Sequence, residues 1–208
     1  MIGTPARMLV IACGALAREV AALRRANRWS SLDVKALPPE LHNRPELIAG
    51  AVRREIRAQR GRYAGIFVAY AECGTKGALD AVLAEEGVER IAGAHCYEFF
   101  ASPAVFAALS DAEPGTFYLT DFLLRHFERL VIRGLGIDRH PELLQTYFGN
   151  YRRLVYLAQA PDDESDRLAQ GIAARLGLEY RMHRTGYGGL KQDLGAFANR
   201  WQAVQWRA

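Results

Sequence analysis

Three cysteines, Cys13, Cys73 and Cys96, each stand just past an apolar run that reads as a β-strand, and the first two are each followed by glycine. In a parallel sheet all strand C-termini point to one edge, where ligands bind in open α/β folds. The three thiols are therefore expected to converge on one face. Thiolates within reach of one another hold Zn²⁺ or an iron–sulfur cluster, and three protein ligands leave one coordination position open for a substrate. A metal site of Cys13, Cys73 and Cys96 is the reading, with Zn²⁺ as its ion and a [4Fe-4S] cluster as the alternative. The spacing is not a CxxC pair, so no local motif selects the metal, and three inert core thiols are the competing reading. Tight glycine turns into helices would lower the thiol pKa values and favour thiolate.

The neighbours of the thiols add candidate chemistry. His95 is either a fourth ligand, which would close the site, or a proton handler, and Glu72 is a second candidate for moving a proton. Gly74-Thr75-Lys76-Gly77 resembles an anion-cradling turn at a helix N-terminus, so Gly14, Gly74 and Thr75 are the expected cofactor-binding positions. Neither a Walker loop nor GxGxxG is present. His42, His126, His140 and His183 have no partner spacing and read as surface or capping groups. Tyr118, Asp121, Gly149-Asn150-Tyr151 and Tyr187-Gly188-Gly189 read as pocket lining or as turn chemistry.

The elements that must position these residues follow from periodicity. Met8–Ala12 is a strand, followed by a helix with Leu16, Val20 and Leu23 on one face. Asp33–Leu37 is a second strand before the Pro38-Pro39 breaker, and a helix opens at Pro45 and runs to about Gln59. Gly65–Ala71 has the continuous apolar character of a strand buried on both faces, and a helix from about Lys76 to Glu86 follows it. Glu89–Ala94 reads as a fourth strand. In the second half, Thr116–Thr120, Arg153–Ala158 and Leu178–His183 are strands, and Phe122–Val131, Pro141–Phe148, Asp162–Leu176 and Leu190–Trp201 are helices. This alternation predicts an α/β fold with a mainly parallel sheet of Rossmann-like strand-helix units. Residues 1–208 are expected to form one domain, with 1–113 and 114–208 as candidate lobes joined through Ala94–Pro114.

At 208 residues, half of them hydrophobic and 24% charged, the chain has a globular composition. Its 27 basic against 23 acidic residues give a net charge of +4, with the basic residues scattered rather than gathered into a block, so no nucleic-acid partner is expected. No stretch approaches the roughly 20 apolar residues of a membrane span. Arg7 followed by Met8–Cys13 imitates a lipoprotein signal, but the apolar run is too short and reads as a buried strand. A soluble cytoplasmic protein with free thiols and a small-molecule ligand is expected. Trp201 and Trp206, with Phe197 and Val204, make an apolar tail that packs on its own domain or on a second copy, which would make a homodimer.

Ile11-Ala12-Cys13-Gly14, Tyr70-Ala71-Glu72-Cys73-Gly74 with Gly77, Ala94-His95-Cys96, Pro114–Leu119 and Asn150–Tyr156 resemble the successive motifs of the domain of unknown function 1638 family. The resemblance spans nearly the whole chain. It implies an association with corrinoid-dependent methyl transfer systems, whose methyltransferase components are then candidate partners. Under that reading the site serves methyl or thiol transfer between small molecules. The alternative is a non-catalytic accessory or sensor that captures a metabolite or metal for such a system.

Overall fold

The computed structural model describes residues 7–205, with side chains through residue 200. Trp206 and the side chains of Trp201 and Val204 lie outside the described residues, and the expectation of a tail-mediated homodimer falls there. The chain divides into two compact units, one of residues up to Cys96 together with those from Gly189 onward, the other Tyr97–Gly188. Each has its own parallel sheet.

The first sheet comprises β1 (Met8–Cys13), β2 (Leu32–Leu37), β3 (Gly65–Ala69) and β4 (Glu89–Arg90) in the order β2-β1-β3-β4, every pair parallel. All six residues of β1 are buried because it lies between two strands, and this explains its unbroken apolar sequence. α1 (Ala17–Ala26), α2 (Ile48–Gln59) and α3 (Ala78–Glu86) alternate with these strands. The edge strand β2 carries the more polar sequence, Asp33 and Lys35 included. Glu89–Ala94, expected as a full strand, pairs only at Glu89–Arg90; beyond it Gly93 takes a φ of 103° and the Arg90 side chain takes up the carbonyls of Ile91 and Gly93. The helix expected from Pro45 is a 3₁₀ turn over Pro45–Leu47 before α2 begins. The helix expected from Lys76 starts two residues later, since Lys76 and Gly77 are both left-handed.

In the second unit β5 (Thr116–Thr120), β6 (Arg153–Ala158) and β7 (Glu179–Arg184) form a sheet in that order, all parallel. Alternate residues fill opposite faces. Leu119, Leu154, Tyr156 and Ala158 pack with Phe127, Ile132 and Ile172, while Tyr118, Val155 and Leu157 pack with Ala101, Val105 and Phe106. Two helices occupy the stretch read as a connection, α4 (Cys96–Ala101) and α5 (Pro103–Ala112), the latter capped by Ser102. The helix expected over Phe122–Val131 divides into α6 (Asp121–Arg125) and a π turn at Glu128–Ile132. α7 (Leu143–Phe148) and α8 (Asp163–Leu176) follow, α8 opened by a reciprocal Asp162–Ser165 capping box. The last helix, α9 (Gly188–Gln205), sets Phe197 against Phe67 of β3, ring centres 5.2 Å apart. The result is an α/β fold of Rossmann-like units. Among the described residues no helix is long and apolar enough to cross a membrane.

Candidate thiol–imidazole site

Because β1 to β4 are parallel, the segments that follow them all leave from one edge of the first sheet. Cys13 is the last residue of β1 and is 2% exposed. Its Sγ lies 3.5 Å from His42 Nδ1 and accepts from the backbone N–H of Ala15 at 3.3 Å. His42 belongs to the 3₁₀ segment Pro39–Asn43 that follows β2. Register places Leu37 opposite Cys13, and the Pro38-Pro39 breaker then turns the chain over the strand end. The outer side of the imidazole is exposed, while its inner face lies parallel to the Tyr70 ring at 6.2 Å. His42, expected at the surface or as a cap, is therefore a member of the site.

Gly14 explains how the loops after β1 and β2 come so close. A Cβ there would stand 2.7 Å from the Leu37 carbonyl oxygen and 2.7 Å from Pro39 Cδ. Gly14 is thus a packing glycine for this crossing, where a cofactor-binding role was expected.

Cys73 lies in the turn after β3 and is half-buried, with a φ of 53°. That left-handed conformation is uncommon outside glycine and is sustained by the surrounding loop. The loop is organised by Glu72, whose carboxylate accepts from Gly74 N–H at 2.8 Å, Thr75 Oγ1–H at 2.7 Å and Gly77 N–H at 3.1 Å. These donors hold the Glu72 carboxyl below the usual carboxylate range, the Thr75 hydroxyl contributing most. The anion in the expected cradle is the protein's own: the Gly74 and Thr75 donors expected to serve a cofactor, and the Glu72 carboxylate expected to move protons, satisfy one another.

The segment bearing the third thiol is joined to this turn. The N–H groups of Glu72 and Cys73 donate to the carbonyls of Gly93 at 3.1 Å and Ala94 at 2.8 Å. Arg90 steadies the same stretch, pairing with both carboxylate oxygens of Asp80 at 2.6 and 3.0 Å while donating to Ile91 O at 2.6 Å. Exposed His95 and half-buried Cys96 come next, at the start of α4. Cys13, Cys73 and Cys96 thus share one sheet edge. Among the described residues, however, no group of three or more His, Cys, Asp or Glu side chains stands at metal-holding separation.

Burial dominates the electrostatics. It pushes the Cys13 thiol up to about 12 and the Cys73 thiol to about 11, outweighing the nearby backbone N–H donors. The expected thiolates are therefore thiols, because loss of hydration exceeds the help a turn or helix start gives to the charge. The packed inner side likewise lowers the His42 imidazole below the ordinary histidine range. Cys13 and His42 form a neutral thiol–imidazole pair. His42 carries no motif, and Tyr70 opens the Tyr70–Gly74 motif within a run read as strand; both follow strand ends, the rule that singles out the cysteines.

The corresponding edge of the second sheet is tied by a buried carboxylate. Asp121 accepts from Tyr156 O–H at 2.7 Å, Gln159 N–H at 3.0 Å and Ala160 N–H at 2.9 Å, while its own N–H donates to Gln159 Oε1 at 2.9 Å. Here Asp121 bridges the ends of β5 and β6. Tyr118 shares a hydrogen bond with Ser110 at 3.2 Å.

Comparison with curated proteins and with solved structures finds no match. A family model described as protein of unknown function (DUF1638) matches residues 36–194, a span that takes in His42, Tyr70, Cys73, Cys96 and Asp121, and the chain belongs to that family.

Proposed function

We propose that the protein binds a soft metal ion, Zn²⁺ in the first instance, at the C-terminal edge of the first sheet, and acts there in methyl or thiol transfer between small molecules. The observation that carries this reading is the 3.5 Å approach of Cys13 Sγ to His42 Nδ1. Neutral imidazole is a ready ligand, and a buried thiol becomes one by releasing its proton when a cation arrives. The solvent-facing side of His42 offers an entry path. Cys73 and Cys96 would be the further ligands, and because no three such side chains among the described residues stand at metal-holding separation, their side chains and loops would have to shift to reach the ion. With His42 as a ligand beside the three thiols a tetrahedral set would be closed, so a thiol substrate would be activated only on displacing one of the four, and exposed His95 is the candidate to accept its proton. A [4Fe-4S] cluster is the alternative occupant.

A second reading, a non-catalytic accessory or sensor that serves a corrinoid methyltransferase system in the cytoplasm, is favoured by the engagement of Glu72 within its own loop, which withdraws it from proton transfer. Elemental analysis and absorption spectra of anaerobically purified protein test the metal. Stoichiometric zinc or iron, lost in Cys13→Ser and reduced in His42→Ala, is the expected result, and a wild-type chain holding neither overturns it. A methyl-transfer assay with methylcobalamin and a thiol acceptor separates the two roles: turnover abolished by Cys73→Ser supports the enzyme, and no turnover by the metal-loaded chain supports the accessory.

A further inference from the structure

The segment 38–47, which carries His42, crosses the C-terminal edge of the first sheet between two buried anchors, Leu37 at the end of β2 and Ile48 at the start of α2. None of its own residues is buried. Beneath it, Cys13 is 2% exposed and Tyr70 is fully buried. The segment is held down where Pro39 packs on Gly14, where His42 meets Cys13 Sγ at 3.5 Å and lies face to face with the Tyr70 ring, and where Pro45 comes against Gly74.

The backbone of the segment is suited to moving as one piece. The N–H groups of Leu41, Arg44 and Leu47 donate to the carbonyls of Pro38, Leu41 and Arg44, closing short 3₁₀ turns inside the segment, and Pro38, Pro39 and Pro45 fix φ along it. Because none of its residues is buried, lifting it wets little beyond the groups underneath, and elements of this kind lie at the low end of a fold's local stabilities. We infer that residues 38–47 form a lid that opens about Leu37 and Ile48 while the sheet stays folded. Closed, the lid sets His42 as a latch on Cys13 and withholds the sulfur from solvent. Open, it carries the imidazole away and admits a small molecule to Cys13 and the Tyr70 ring. This goes beyond the metal reading and holds whatever the edge binds.

Hydrogen exchange and alkylation by N-ethylmaleimide, with Cys13 followed by peptide mass, test the lid on the full chain. Without denaturant, the Leu41, Arg44 and Leu47 amides are expected to exchange together, about 100-fold or more faster than the β1 amides. Cys13 is expected to alkylate through the same opening, at a rate nearly unchanged by urea below the unfolding transition, because little surface is exposed. His42→Ala removes the latch and is expected to speed Cys13 alkylation about tenfold while exchange in β1 stays at the wild-type rate. Alkylation of Cys13 that follows global unfolding, with its full urea dependence, overturns the lid. So does a Cys13 that alkylates while the three lid amides stay protected, because access then comes by another route. A folded His42→Ala chain that alkylates at the wild-type rate overturns the latch, and if that variant fails to fold, the urea dependence of the wild-type chain still decides for or against the lid.

Discussion

Cys13 and His42 are 29 positions apart in the chain, and their side chains meet at 3.5 Å. The contact is made by two parallel strands and a proline turn. β1 and β2 end in register, Cys13 opposite Leu37, and Pro38-Pro39 folds the next residues back across the end of β1. Nothing close to either residue in sequence announces the pair. Four consequences can be measured.

Gly14→Ala places a methyl group against the Leu37 carbonyl and the Pro39 ring, each 2.7 Å away. Backbone and a proline ring have little room to yield, so a loss of about 1–3 kcal/mol is expected. The Pro39–Asn43 segment should move off Cys13 as well. Thermal melting should fall and labelling of Cys13 by a disulfide reagent should accelerate. Unchanged values for both would show that the loops are not packed through this glycine.

Glu72→Ala removes the acceptor shared by Gly74, Thr75 and Gly77. The turn is partly solvated, so the loss of stability is set at about 1 kcal/mol. Hydrogen exchange at the Gly74 and Gly77 amides should quicken by roughly tenfold as the turn opens locally. Unaltered exchange there would mean that Glu72 does not organise the loop.

Asp121→Ala leaves the Gln159 and Ala160 amides and the Tyr156 hydroxyl without their acceptor at a buried position. Leaving several donors unpaired at a buried charged site costs about 3 kcal/mol or more. A denaturant midpoint close to wild type would contradict the assignment of Asp121 as the link between β5 and β6.

Glu86, on α3, is held by Arg57 at 2.7 Å and Arg60 at 2.6 Å, and these bonds keep its carboxyl below the usual 4.5. A carboxyl whose folded-state pKa is depressed contributes stability that is present above the ordinary value and is lost as pH falls through the folded-state value. Glu86→Gln should therefore melt below wild type at pH 7, and the gap should close below pH 4.5. A gap of constant size down to pH 3 would show that the ion pairs carry none of it.

Element type was legible in the sequence because it depends on neighbours. The continuous apolar runs at Met8–Ala12 and Gly65–Ala71 mark strands buried on both faces, and breakers such as Pro38-Pro39 and Pro114-Gly115 delimit them. Parallel pairing then brings Cys13, Cys73 and Cys96 to one edge. Tertiary structure decided what depends on distance and solvation. The division into two sheets, the meeting of His42 and Tyr70 with Cys13, and the capture of Glu72 by its own loop all rest on loop conformations that periodicity does not encode. The protonation of the thiols has the same origin: turn and helix donors that favour thiolate are local, whereas the burial that opposes it is supplied by segments distant in the chain, and at Cys13 burial is the larger effect.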